Sequence, residues 1–154
     1  MTNELFLDPH RQGRPADLAR EVAARILGGP HLSVLTTVNP DGSPQASVIF
    51  VKPDGDDILF STIKGRRKTD NMRRDPRVSL LVHSLPGADG EFTYAVISGS
   101  VELADDLDNS FHQVLYDLHM GGAPAPVELG AERLIVRLTP HRVYAPPAYV
   151  PAAE

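Results

Sequence analysis

"HLSVLTTVNPDGSPQASVIFVKPDGDDILFST", residues 31–62, alternates β-branched and apolar positions with small polar ones, and two short polar runs interrupt it, each carrying Asp-Gly. Residues 31–38 read as a strand, 39–44 as a turn and 45–52 as the returning strand. Residues 53–57 make a second turn, and 58–62 a third strand. Asp-Gly between alternating segments marks a tight reversal, because glycine takes the positive φ that such a turn needs. The stretch is therefore an antiparallel meander, and the fold class follows from it.

On its N-terminal side, "PADLAREVAARILGG" (15–29) predicts a helix over about 15–28. Leu18, Val22 and Ile26 recur four apart, Pro15 suits the first turn, and Gly28-Gly29 suits the end. On the other side, a short helix over about 66–74 is halted by Asp75-Pro76, since proline disfavours helix in the residue before it. "RVSLLVHS" (77–84) predicts a strand apolar enough to be buried on both faces. Residues 85–91 read as a loop, and 92–103 as a long strand in which Gly99 marks a bend or bulge. Residues 105–120 predict a helix with acids at its start and an apolar face of Leu107, Phe111, Val114, Leu115 and Leu118. Residues 121–130 are a loop, 132–145 supply one or two final strands, and 146–154 form an extended tail. Six or seven mostly antiparallel strands with two or three helices make a mainly β chain that closes into a small barrel and so removes its edges. A two-layer α+β sheet is the alternative.

The chain has 154 residues, no cysteine and a net charge of −5. One domain spanning 1–154 is expected, with a barrel over about 31–145. Disulfides and thiolate metal sites are excluded. No apolar run nears the roughly 20 residues that cross a bilayer, and the start lacks a secretory pattern, so a cytoplasmic protein away from membranes is expected. The acidic balance argues against nucleic acid as a partner.

One segment runs against that balance. Between Lys64 and Arg77 stand seven basic residues and two acids, which leaves eight basic against eighteen acidic residues elsewhere. Arg73 and Arg74 close a helix, where the dipole welcomes cations. Arg66, Arg67 and Lys68 open it directly after Gly65, where the dipole is already positive and three more cations need an anion among them. Backbone N–H groups, a glycine, guanidinium forks and the Thr62 hydroxyl together suit a phosphate. This reading is preferred to a merely solvated face.

A strand ending "LFST", then "GRRK", a short helix and "DPRVSLLV" resembles the flavin-binding split-barrel superfamily related to pyridoxamine 5′-phosphate oxidase. "TTVNPDGSPQASVIFV" is similar to that family's first hairpin, and "ERLIVRLTPHRVYA" to its closing strands. The resemblance covers about residues 30–145. It implies a six-stranded antiparallel split β-barrel of the FMN-binding type, paired as a homodimer with the cofactor at the subunit interface. It further implies Thr62, Arg67 and Lys68 as phosphate ligands, with Ser61 beside them, Lys64 and Arg66 as further contacts, and Ser47, Val48 and Ile49 offering backbone to the ring. The pyridoxamine phosphate oxidases themselves carry an "RxxLLK" pattern on the second strand. Here Ala46 stands in place of the arginine, Lys52 is one place out of register, and the basic C-terminus is replaced by "PPAYVPAAE". Vitamin B6 oxidation is therefore not expected. "NPDGSPQ" with "FSTIKGRRKTDNMRRDPRVSL" looks most like the actinobacterial branch that uses the deazaflavin F420, whose anionic tail the surplus cations Lys64, Arg66 and Arg73 are expected to meet.

Other candidate sites carry less. His112 and His119 lie two helical turns apart, too far to share one ion, and His31, His83 and His141 fall on separate strands, so no metal is expected. "SGS" (98–100) lacks the strand-elbow-helix context of a nucleophile, and the "GGP" and "GGAP" runs are no phosphate loops. Tyr94 and Tyr116 are read as packing residues rather than pocket walls. No acid, base or nucleophile is evident, as befits chemistry in which the cofactor performs the hard step. The expected activity is hydride transfer from F420 to an unsaturated small molecule. FMN-dependent reductase or oxidase chemistry is the first alternative, and a non-catalytic flavin, F420 or tetrapyrrole carrier the second.

Overall fold

A computed structural model describes residues 13–85 and 93–147. The loop expected over 85–91, the first residue of the strand expected over 92–103, and the tail over 146–154 lie wholly or mostly outside the described residues. The chain runs α1 (Ala16–Gly28), β1 (His31–Val38), β2 (Pro44–Ile49), β3 (Val51–Asp54), β4 (Asp57–Ile63), α2 (Arg67–Arg74), β5 (Arg77–Ser84), β6 (Tyr94–Asp105), α3 (Phe111–His119) and β7 (Arg133–Tyr144). The strands form one antiparallel sheet in the order β2-β1-β5-β6-β7-β4-β3.

The margins of that sheet explain its shape. The return strand expected over 45–52 is broken at Phe50, so that β2 pairs with β1 and β3 pairs with β4, at opposite ends of the sheet. Ile49 and Val51 are two residues apart, so the margins approach within roughly 7 Å at a Cα spacing of 3.8 Å. The sheet curls until its edges meet, which is the split barrel expected from the sequence. It has seven strands rather than six because one strand is divided between both margins.

Inside the curl, alternate residues of each strand point inward. Leu35, Phe60, Leu80, Ile97, Val136 and Leu138 are buried and come from five different strands. β5 buries Val78, Leu80, Val82 and Ser84 and leaves the residues between them part-exposed, so it is half-buried rather than covered on both faces. α1 packs over the sheet through Ala19, Val22, Ala23 and Ile26, spaced three and four apart, while Leu18 of the expected stripe is 42% exposed. The small alanines let the helix axis approach the sheet, which turns Leu18 outward. α3 is shorter than expected. Residues 104 and 105 extend β6, and Asp106 accepts the Phe111 N–H (3.1 Å) across the turn that precedes the helix. Leu115 is buried against the barrel, whereas Leu107, Val114 and Leu118 are exposed. No helix among the described residues is long and apolar enough to cross a membrane.

β6 and β7 are twelve residues each and shift register between Ser98 and Gly99, where the sequence placed a bend. Pro140, opposite Gly99, lacks a ladder donor and is tolerated at this irregularity.

His31, at the start of β1, is buried; its Nδ1 lies 2.9 Å from the Gly29 carbonyl, and its Nε2 has no partner among the described residues. Burial, opposed by the Gly29 carbonyl and reinforced by His119 and His83, lowers its pKa below 6.5. Below 6.5 the unfolded chain takes up a proton that the folded chain refuses, so stability falls as the solution is acidified through that window. Melting temperature should therefore be level above about pH 7 and decline toward pH 5. His31→Phe should flatten that decline, which thermal melts at stepped pH will read.

Candidate functional site

The seven cations of 64–77 do not stay together in space. Lys64 Nζ lies 2.8 Å from Glu132 and 3.3 Å from Asp105, and these hydrogen bonds raise its pKa. Arg77 forks onto Asp75 at 2.7 and 3.0 Å, and these bonds hold the Asp75 carboxyl down to about 2. Arg74 donates to the Val38 carbonyl and to Asn71 (3.2 Å). Arg66 pairs with Glu128. The remaining side chains diverge because successive helical residues point about 100° apart. Lys68 turns toward a cavity bounded by β2, β4 and α3, and Arg67 toward a separate polar groove beside Asn39, Asp41 and Asp70.

α2 is held to the barrel by polar contacts. Asn71 is buried and donates to Thr37 and Asn39, both at 3.0 Å, and Met72 inserts beside it. Gly65, at φ +86°, makes the reversal from β4 into α2. Thr62 is buried at the end of β4 with its hydroxyl 2.8 Å from that of Thr69, which donates to the Ile63 carbonyl (2.7 Å). A hydroxyl has one proton to give. The Thr62 proton is therefore engaged by Thr69, and the hydroxyl available to the cavity is that of Ser61.

The cavity of about 380 Å³ brings together Val48, Ile49, Ser61, Thr62, Arg66 and Lys68 from the set expected to bind cofactor. Ser47, Lys64 and Arg67 do not line it. Ser47 Oγ is buried without a partner among the described residues, one residue away along β2. Sequence reasoning missed Arg133, His112, Tyr116 and Phe50. Arg133, at the start of β7, has its guanidinium 3.5 Å from Ser61 Oγ and forms no ion pair among the described residues. Burial lowers its pKa, against the pull of Glu128 and Asp106. Burial also lowers Lys68, with Arg66 adding to the effect, and lowers His112, with Arg133 adding. The shared direction has one main cause, burial, to which the neighbouring cations add. The cavity lining carries Arg66, Lys68 and Arg133 against the single carboxylate of Glu128. A larger apolar groove of about 580 Å³, between α1 and the β3–β4 turn, is lined by Arg20 and three acids and offers no such excess.

α3 supplies the wall opposite the cations. His112 and Tyr116 rings meet at 5.0 Å, Tyr116 and Phe50 edge to face at 5.6 Å, and Phe50 stacks on His119 at 5.1 Å. The 112/116/119 spacing puts these rings on one face, a signal present in the sequence, where Tyr116 reads as packing and the two histidines only as too far apart to share a metal ion. His112 Nδ1 is buried with no partner among the described residues. The site thus pairs an apolar, aromatic side with a cationic floor, and it suits a flat ligand that carries a phosphate.

Known proteins share this architecture. A solved structure named F420 reductase is 28% identical over 77% of this chain and 93% of its own, with a TM-score of 0.68. The general stress protein 26 of Bacillus anthracis (19% identity, 85% and 96% of the two chains, TM-score 0.60) and a FAD-binding protein of Mesorhizobium loti (21%, 79% and 89%, TM-score 0.59) share the fold. Residues 19–145 match the family model described as pyridoxamine 5′-phosphate oxidase. The curled seven-stranded sheet and that match have one meaning: the chain belongs to the pyridoxamine 5′-phosphate oxidase family, within the split-barrel superfamily.

Proposed function

We propose that this family member is an oxidoreductase that binds F420 and transfers hydride from its reduced form to an unsaturated small molecule, as a homodimer with the cofactor at the subunit interface. The observation that carries the reading is the excess of cation over carboxylate in the cavity, Arg66, Lys68 and Arg133 against Glu128, beside a Ser61 hydroxyl that accepts from Arg133 and keeps its own proton to donate. The similarity to an F420 reductase favours the deazaflavin over FMN. Reduced F420, when bound, supplies the hydride. Lys68 and Arg133 would neutralise the phosphate, with Ser61 donating to one of its oxygens. β2 is a margin of the sheet, so alternate residues along Ser47, Val48 and Ile49 turn backbone N–H and C=O groups outward, free of strand pairing, and these can orient a ring. Phe50, Leu115 and Tyr116 would exclude water from the wall beside it. Lys64 and Arg66 hold carboxylates of this chain, so an anionic tail would meet them by exchanging with Glu132, Asp105 and Glu128.

Spectra of freshly purified protein, followed by fluorescence titration with long-tailed and tail-less F420, test the reading. A colourless protein that quenches deazaflavin fluorescence is the expected result. Flavin absorption bands would move the assignment to FMN-dependent chemistry, and a Soret band to a tetrapyrrole carrier. Bound reduced cofactor that fails to turn over with enones or quinones would leave a carrier.

A further inference from the structure

Among the described residues lining the cavity Glu128 is the one carboxylate, and it comes from the segment between α3 and β7 rather than from the barrel. That segment is fastened near its start. Gln113 donates to the Ala123 carbonyl (3.0 Å) and accepts from the Ala125 N–H (2.9 Å). It is fastened again where the Arg133 N–H meets Asn109 (3.2 Å). Between these points Val127 and Leu129 are 85% and 97% exposed, so no apolar burial secures the tip. Among the described residues, the side-chain bond that ties the tip to the barrel is the pairing of Glu128 with Arg66. Both partners are half-exposed, a setting in which an ion pair is weak.

We propose that Glu128 is a built-in competitor for the cavity's anion: its carboxylate holds Arg66 until a phosphate-bearing ligand displaces it, and the displacement frees residues 126–130. The inference rests on reading the cavity as a phosphate site. Arg66 exchanges one oxyanion for another, and no covalent bond changes. A phosphate carries more charge than a carboxylate and offers more acceptor oxygens, so it wins the exchange, whereas singly charged anions of low basicity do not. Glu128 thereby acts as a specificity determinant, since it sets the charge that a ligand must bring to enter.

Calorimetric titration of the full chain with inorganic phosphate tests this on the wild type, Glu128→Gln and Asp54→Asn. The last variant removes a carboxylate of a comparably half-exposed pair, with Arg137, that does not line the cavity. Glu128→Gln should bind phosphate about three-fold more tightly, the ratio expected for loss of a weak exposed pair, while Asp54→Asn matches the wild type. Thermolysin, which cuts before bulky apolar residues such as Val127 and Leu129, should cleave the wild type faster when phosphate is added and should cleave Glu128→Gln fast without it. Equal or weaker phosphate binding by Glu128→Gln, or cleavage indifferent to phosphate, would overturn the competitor. Phosphate binding to none of the three would overturn the phosphate reading of the cavity itself.

Discussion

Lys68→Ala is expected to weaken the affinity for a phosphate-bearing cofactor about ten- to a hundredfold, the effect of losing a charge-assisted bond of roughly 1.5–3 kcal/mol. Lys68 points into the cavity from the first turn of α2, part-buried, and it has no acidic partner among the described residues. Burial and the neighbouring Arg66 make its charge costly unless an anion meets it. The same substitution should therefore leave the free protein's melting temperature unchanged or slightly higher, which separates a binding role from a structural one. Lys68→Arg should restore most of the affinity. Arg67→Ala is the informative comparison, because Arg67 lies on a different groove and should change affinity by less than about three-fold. Fluorescence titration with F420, together with thermal melts, reads both quantities. Equal losses for Lys68→Ala and Arg67→Ala would place the phosphate at the helix start as a whole rather than in the cavity.

Gly99→Ala should be the most destabilising single methyl in the described chain. A Cβ at Gly99 would sit 2.2 Å from the Thr139 carbonyl oxygen and 3.2 Å from Pro140 Cα, both backbone atoms that no rotamer change can move. The backbone at Gly99 is not left-handed, so the glycine is required by proximity and not by torsion. Relief would come by parting β6 from β7, the longest strand pairing in the sheet. Overpacking of this kind costs about 3 kcal/mol. That corresponds to a fall in melting temperature of roughly 10 °C at this size. A melting temperature within a degree or two of wild type would show that the bulge relaxes freely.

The meander, the halt at Asp75-Pro76 and the Gly99 irregularity were legible because each rests on chemistry confined to a few neighbouring residues. Phe50 was not: nothing local distinguishes a strand that continues from one that changes partners, since the break is decided by curvature of the whole sheet. The cationic run was half legible. Its composition pointed to an anion, but its apparent isolation from acids was an effect of counting along the chain, since Asp105, Glu128 and Glu132 arrive from distant segments to hold Lys64 and Arg66. Arg133 escaped notice for the converse reason. In sequence it is one cation in a closing strand, and only the β4–β7 pairing, with Ile63 opposite Arg133, brings it to the cavity. The helical spacing of His112, Tyr116 and His119 was visible, but which face met the barrel was not.

The single-residue junction at Phe50 has a mechanical consequence. Val51, immediately after it, pairs with Phe60, the neighbour of Ser61. Whatever seats itself on Ser47, Val48 and Ile49 therefore pulls, through two peptide links and one rung of the ladder, on the strand that carries the Ser61 hydroxyl. Two strands lining the candidate site are thus yoked by the chain at Phe50 and by strand pairing beyond it, so they advance or retreat as a pair.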